Sequence, residues 1–396
     1  MDMSTSVGSV DDSGAATTDR VAEPRDFEPR TKSIDSPRVL MLITRNQRRG
    51  AECSAQMLAH EFLARGVDVV LYSLAGLRSG PELDIDSLGR SPLGLATLAR
   101  VRRLMRNADV VVACGSKTLP AVAIAGLRLR CPIIYQNIGD PLFWANTRFR
   151  RVRVRASLRR ITAVAALADQ SASVLESRFA VPAHRITVIR NARSSTEFRQ
   201  PRSEEASRAR RALGLGEAQK VVVAVGALSP EKHIDDAIRA VARMKAPVHL
   251  VVVGEGPLRR ELVDLAEQAA PGRVSFLGPR TDMRSVYWAA DALVLTSVSE
   301  GVPGVLIEAG LCGLPVVSTD VGLVREVVVD GRTGRLVRVG DRDGLSDALE
   351  DVISNRTELG RNAREHCRER FDLDRVTDQW LRLLRSVHGG GRGVRS

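Results

Sequence analysis

The chain has 396 residues, 44% of them hydrophobic and 27% charged, which leaves room for two globular domains and excludes a largely disordered protein. No apolar run approaches the ~18 residues of a membrane-spanning helix, and five scattered cysteines without C-x-x-C spacing argue against a disulfide framework or a zinc site. The net charge of +12 is unevenly placed: residues 37–193 carry 25 Lys/Arg against 10 Asp/Glu, whereas residues 194–396 carry 30 against 29. A cationic first half and a nearly neutral second half suggest that an anionic surface or acceptor docks on the first.

Residues 1–36 are rich in Ser, Asp, Thr and Pro, with 8 Asp/Glu against 4 Lys/Arg, and read as a disordered tail. The opening MDMSTSVGSVDDSG has neither a basic flank nor an apolar core, so no signal peptide is expected. From residue 37 to 193, apolar β-branched runs (RVLMLIT, VDVVLYSL, DVVVAC, PIIYQN, ITAVAAL, RITVIRN) alternate with amphipathic stretches such as AECSAQMLAHEFLARG. That alternation is the pattern of parallel strands covered on both faces by helices. Residues 194–219 form a polar connector, after which the alternation restarts with KVVVAVGAL, PVHLVVVGEG, RVSFLGP, ADALVLTS and LPVVSTD. The expected fold is therefore α/β, two Rossmann-like domains, 37–193 and 220–370, facing a cleft. A C-terminal helix over 371–388 is expected to cross back to the first domain, and 389–396 to trail as a second tail.

The stretch SEGVPGVLIEAGLCGLPVVSTDVG, residues 299–322, concentrates the chemistry. Glu300 and Glu308 lie around a Gly/Pro corner inside a segment otherwise built for burial, where carboxylates need partners. Pro303 suits a helix start, Gly301 and Gly304 allow close approach, and the first N–H groups of the helix suit an anion. Two carboxylates beside an anion site fit sugar hydroxyls, which donate to them. Phosphate at a helix end with hydroxylated rings either side describes a nucleotide sugar.

These residues resemble the E-x7-E signature of retaining GT-B glycosyltransferases, glycosyltransferase family 4 in particular. The resemblance covers most of residues 37–390 and is most specific in VGALSPEKHIDDAI, VVVGEGPLRREL, VSFLGPRTDM and the 299–322 stretch. It implies that Glu300 holds the transferred sugar and Glu308 the ribose, with backbone at Gly301, Val302 and Gly304 on the sugar and Val305 and Leu306 near the phosphates. It further implies that Lys232 offsets the charge of the diphosphate leaving group, that Gly226 is a close-approach glycine, that Arg280 lies near the base, and that Gly50 reaches the donor from the first domain. Front-face displacement follows from the same resemblance, with UDP- or GDP-sugar as co-substrate, no cofactor and no metal. Asp84-Ile85-Asp86 and Asp341-Arg342-Asp343 match the D-x-D metal motif only in letters, since neither follows a buried strand.

The chain also departs from the family pattern. Ala227 stands where arginine is usual, His233 where glycine follows the lysine, Arg49-Gly50 where the first loop has two glycines, and Arg190-Asn191-Ala192 where P-N-G is usual. Arg45, Arg48 and Arg49 are candidates for the cation missing at Ala227. The basic run from Arg148, which includes Arg150, Arg151 and Arg153, together with Phe143 and Trp144, is a candidate contact for a lipid-type acceptor or an anionic membrane. A cytoplasmic protein, peripheral on the inner membrane face, is the corresponding expectation. A catalytically weakened partner subunit is the alternative. Nucleic acid is not expected, because aromatic content is only 4% and no binding module is present.

Overall fold

The structure is a computed structural model that describes residues 37–47, 50–77, 83–139 and 147–390. In the first half the strands are β1 (Arg38–Arg45), β2 (Asp68–Ala75), β3 (Val110–Cys114), β4 (Ile133–Gln136), β5 (Ala163–Ala166) and β6 (Ile186–Val188). The helices between them are α1 (Gly50–Ala64), α2 (Leu95–Asn107), α3 (Leu119–Ala125), α4 (Arg148–Leu158) and α5 (Asp169–Phe179). Every strand pair is parallel, in the order β2-β1-β3-β4-β5-β6. Strand β1 shows why the run RVLMLIT is continuously apolar. Leu40 and Leu42 enter the core on one face of the sheet, while Val39, Met41 and Ile43 enter the core on the other.

The second half repeats the layering with β7 (Lys220–Val225), β8 (Val248–Val253), β9 (Val274–Phe276), β10 (Ala292–Leu295), β11 (Val316–Thr319) and β12 (Gly334–Val337). Its helices are α6 (Ser203–Ala212), α7 (Ile234–Arg243), α8 (Arg259–Ala269), α9 (Arg284–Ala289), α10 (Gly304–Leu311), α11 (Arg342–Ser354) and α12 (Arg356–Phe371). The sheet order is β12-β11-β10-β7-β8-β9, again all parallel. The strand order reverses between β7 and β10, and ligands of such sheets bind in the crevice beyond the carboxyl ends of the strands at that switch point. The loop after β7 carries Lys232 and the loop after β10 carries Glu300.

Residues 194–219, read from sequence as a connector, are organised: Phe198, Ala209 and Leu215 are buried in the core of the second sheet. The long C-terminal stretch divides at Asn355 and Asp372 into α11, α12 and α13 (Leu373–Gly390). Helix α13 returns to the first sheet, where Val376, Trp380, Leu383 and Leu384 are buried beside Phe62 of α1. The Trp380 and Phe62 rings meet edge-on with centroids 6.4 Å apart, a favourable aromatic arrangement.

The chain passes between the two halves twice, and the two passages touch. Arg193 N–H donates to Phe371 O at 2.9 Å and Leu373 N–H to Arg193 O at 3.0 Å, pairing Arg193 with Asp372. Either side of this junction, Arg190 binds Asp169 of the first half and Glu326 of the second.

Candidate active site

The site lies where the loops after β7 and β10 meet the start of α10. Two hydrogen bonds tie the two loops together, Val298 N–H to Glu231 O at 3.0 Å and Thr296 Oγ1 to Lys232 O at 2.8 Å, and Thr319 Oγ1 at the end of β11 donates to Ser297 O at 2.5 Å. Glycines permit the closeness. A Cβ on Gly322 would fall 1.8 Å from Glu300 O, and one on Gly254 1.8 Å from Gly226 O, so both positions exclude every larger residue. The loops holding Lys232 and Glu300 are thereby braced from behind by two further loops.

The two carboxylates are each matched by a cation. Lys232 Nζ donates to Glu300 Oε1 at 2.6 Å, and Ser297 Oγ donates to the same oxygen at 2.6 Å. Arg193 Nε donates to Glu308 Oε1 at 2.5 Å and Tyr287 Oη to Oε2 at 2.8 Å. Burial, followed by the adjoining Glu308 charge, pushes the Tyr287 hydroxyl well above its ordinary value, so it remains a donor. Pairs this sheltered (the side chains of Arg193 and Glu308 are 11% and 12% exposed) are costly to break one-sidedly, but each can exchange its partner for a ligand that supplies equivalent hydrogen bonds.

Helix α10 starts at Gly304, with Pro303 at its cap. Its first N–H groups lack helical partners and its dipole favours an anion there. The opposite wall belongs to the first half: Gly50 opens α1, Ser54 Oγ donates to Gly50 O at 2.7 Å, and Arg193 Nη1 donates to Ser54 Oγ at 3.2 Å. A chain of contacts thus runs from Gly50 through Ser54 and Arg193 to Glu308. A Cβ on Gly301 would lie 3.2 Å from Ile138 O of the first half, so the cleft narrows at that point.

Among the residues singled out from sequence, Glu300, Glu308, Lys232, Gly301, Gly304 and Gly50 come together. A Cβ on Gly226 would reach only ordinary contact with Lys232, whereas Gly254 and Gly256 pack directly on backbone. Leu306 is wholly buried and its N–H donates to Pro303 O at 3.2 Å. Val305 is half-buried against the core, and the Val302 carbonyl accepts from Asn191 Nδ2 at 3.2 Å. Arg280 is exposed two residues beyond Gly278, whose carbonyl binds Gly254 N–H. Arg45 Nη1 donates to Gly76 O at 3.1 Å on the rim of the first sheet. Arg48, Arg49, Phe143 and Trp144 lie outside the described residues. Arg150, Arg151 and Arg153 are exposed on α4, where Phe149 and Val152 are also open to solvent, 76% and 66% exposed. Asp341 of the second D-x-D caps α11 through Gly344 N–H at 2.9 Å. Among the described residues no cluster of three or more metal-ligating side chains occurs, and no helix is long and apolar enough to cross a membrane.

Arg193 and Tyr287 were not singled out from sequence, and neither stands in a motif. Arg193 is 115 positions from Glu308, and only the folded arrangement joins them.

This architecture, two parallel α/β halves with a paired-charge site at the switch point of the second, is the GT-B fold. Comparison with known proteins agrees. The model of "Glycosyltransferase Family 4" matches residues 48–194 and that of "Glycosyl transferases group 1" residues 205–370, which together support a GT-B glycosyltransferase. The N-acetyl-alpha-D-glucosaminyl L-malate synthase of Bacillus anthracis is 29% identical over 180 residues, 44% of this chain and 47% of that protein. The D-inositol 3-phosphate glycosyltransferase of Gordonia bronchialis is 37% identical over 195 residues, 44% and 42% of the respective chains. The chain spans about half the length of the curated relatives it matches. Among solved structures, Anabaena HepE in complex with UDP and glucose superposes with a TM-score of 0.77 at 25% identity, covering 88% of this chain and 100% of that one. WaaG, a glycosyltransferase of lipopolysaccharide biosynthesis, shares the fold with a TM-score of 0.67 at 19% identity, covering 87% and 99%.

Proposed function

We propose that this chain is a retaining glycosyltransferase that moves a sugar from a UDP- or GDP-linked donor to a glycan, lipid-linked or small-molecule acceptor, without a metal or other cofactor. The observation that carries the reading is the matching of two carboxylates with two cations around one helix start, Lys232 with Glu300 and Arg193 with Glu308. In this reading the ribose hydroxyls donate to Glu308 and the transferred sugar to Glu300, while the diphosphate lies at the start of α10 beside Lys232. The HepE complex with UDP and glucose supports a nucleotide sugar as the donor class.

In the transfer step the bond between sugar C1 and the β-phosphate oxygen breaks, and its electron pair stays on the phosphate. The acceptor oxygen bonds to C1 on the face the phosphate leaves, and its proton passes to the departing phosphate oxygen. Lys232 and the N–H groups of α10 stabilise the charge that develops on the leaving group, where fixed positive groups contribute most. On the first half, the exposed arginines of α4 meet an anionic membrane surface carrying the acceptor.

The test is the anomeric configuration of the product by proton NMR. A product with the donor's configuration is expected, and an inverted product would contradict retention. Nucleotide binding without release in the presence of any sugar acceptor would instead favour the partner-subunit reading, which Ala227 motivates.

A further inference from the structure

A diphosphate leaving group carries two negative charges before the bond breaks, and Lys232 supplies one positive charge. Ala227 supplies none, and Arg45 is bound to Gly76 O on the rim of the first sheet. We infer that Arg193, from the junction between the two halves, is the second cation for the diphosphate; this rests on the donor reading above and adds a residue to it.

The guanidinium is held where the phosphates would lie. Nη1 donates to Ala192 O at 2.7 Å and to Ser54 Oγ at 3.2 Å, and Nε donates to Glu308. Nη2 makes no hydrogen bond among the described residues and faces the first residue of α10: a Cβ on Gly304 would fall 1.9 Å from it. Glycine at 304 is what gives the guanidinium its place. The starts of α1 and α10 both bear partial positive charge, and a cation between them needs an anion. Glu308 supplies that anion.

Donor binding exchanges partners. Ribose hydroxyls take over Glu308 and sugar hydroxyls take over Glu300, which frees Arg193 and Lys232 together, two positive charges for the two of the diphosphate. The backbone of Arg193 sits at the pairing with Asp372, where both chain passages meet. That pairing anchors the root of the Arg193 side chain between the two halves.

The experiment compares nucleoside diphosphates with matching nucleosides on the native protein, Arg193→Gln and Arg193→Lys, by calorimetric titration with UDP, GDP and ADP against uridine, guanosine and adenosine. Loss of a charged hydrogen bond corresponds to about 1.5–3 kcal/mol, so the Gln variant should bind the preferred diphosphate roughly ten- to hundredfold more weakly. Its affinity for the nucleoside should change less than about threefold, and its kcat should fall. The Lys variant, which keeps the charge, should recover most of the preference for diphosphate over nucleoside. Equal losses for nucleoside and diphosphate would reduce Arg193 to a support for Glu308 and overturn the inference, as would an unchanged preference with unchanged kcat; either result leaves the donor reading standing. A native protein that binds none of the three diphosphates sinks the donor reading and this inference with it.

Discussion

The two rims of the cleft are built differently. On the second half the loops are laced so tightly that Gly254, Gly256 and Gly322 each lie where a single added carbon would strike backbone, and the charged side chains are already paired. On the first half no described residue lies within 4 Å of the Gly50 Cβ position, and α4 turns arginines, Phe149 and Val152 to solvent. A site whose donors must be fixed before the reaction needs the first kind of construction. A surface that receives a large or membrane-borne acceptor can be left open. On the proposed reading the contrast gives rigidity to the donor side and electrostatic attraction to the acceptor side.

Four experiments break or sharpen that contrast. The largest effect belongs to Lys232→Ala, which on the proposed reading removes a cation from the leaving group. A fall in kcat of about 100- to 1,000-fold is expected, measured as nucleotide release, with a lower melting temperature as well because Glu300 loses its ion-pair partner. Next, replacing Arg150, Arg151 and Arg153 together by Gln should weaken binding to anionic vesicles. At about 1 kcal/mol per charge near the surface the loss is somewhat more than about a hundredfold, shrinks with added salt, and leaves donor affinity unchanged. Flotation of the variant and native proteins to the same extent would remove the membrane contact from the account.

A smaller effect separates the rims directly. Gly254→Ala should destabilise the protein by about 1–3 kcal/mol through overpacking against Gly226 O and weaken donor binding, whereas Gly50→Ala should leave the melting temperature unmoved. Similar melting temperatures for the two variants would erase the distinction. The smallest effect concerns His233, which caps α7 in the left-handed conformation at φ 45°. The family's usual residue there is glycine, for which this conformation is free of the Cβ clash of about 1–2 kcal/mol. His233→Gly should therefore raise stability slightly, by less than about 1 kcal/mol once the added freedom of the unfolded chain is counted.

Much of this was legible in the sequence because it is local. Continuous apolar runs such as RVLMLIT mark strands buried on both faces, and the Gly/Pro corner around Glu300 and Glu308 marks a loop entering a helix. The resemblance then pointed to Lys232, which the fold brings to 2.6 Å from Glu300. What escaped is long-range. Arg193 directly follows Arg190-Asn191-Ala192, where the family pattern reads P-N-G, and nothing near it in sequence indicates that its side chain reaches Glu308. The brace behind Glu300 depends on Gly322, whose need for glycine arises from a carbonyl 22 positions earlier. After β2, Leu83, Ile85 and Leu88 are buried and Ser87 Oγ lies 2.7 Å from Ser73 Oγ, because a few apolar residues suffice to anchor a mostly polar loop.

The most direct measurement is titration of UDP-, GDP- and ADP-linked sugars into the native protein and Glu308→Gln, followed by thermal shift, since a bound donor raises the melting temperature by mass action. The account requires one of these sugars to stabilise the native chain and to do so at markedly higher concentration, or not at all, in the variant. Equal stabilisation of both proteins, or none of the native one by any of the three, would contradict it.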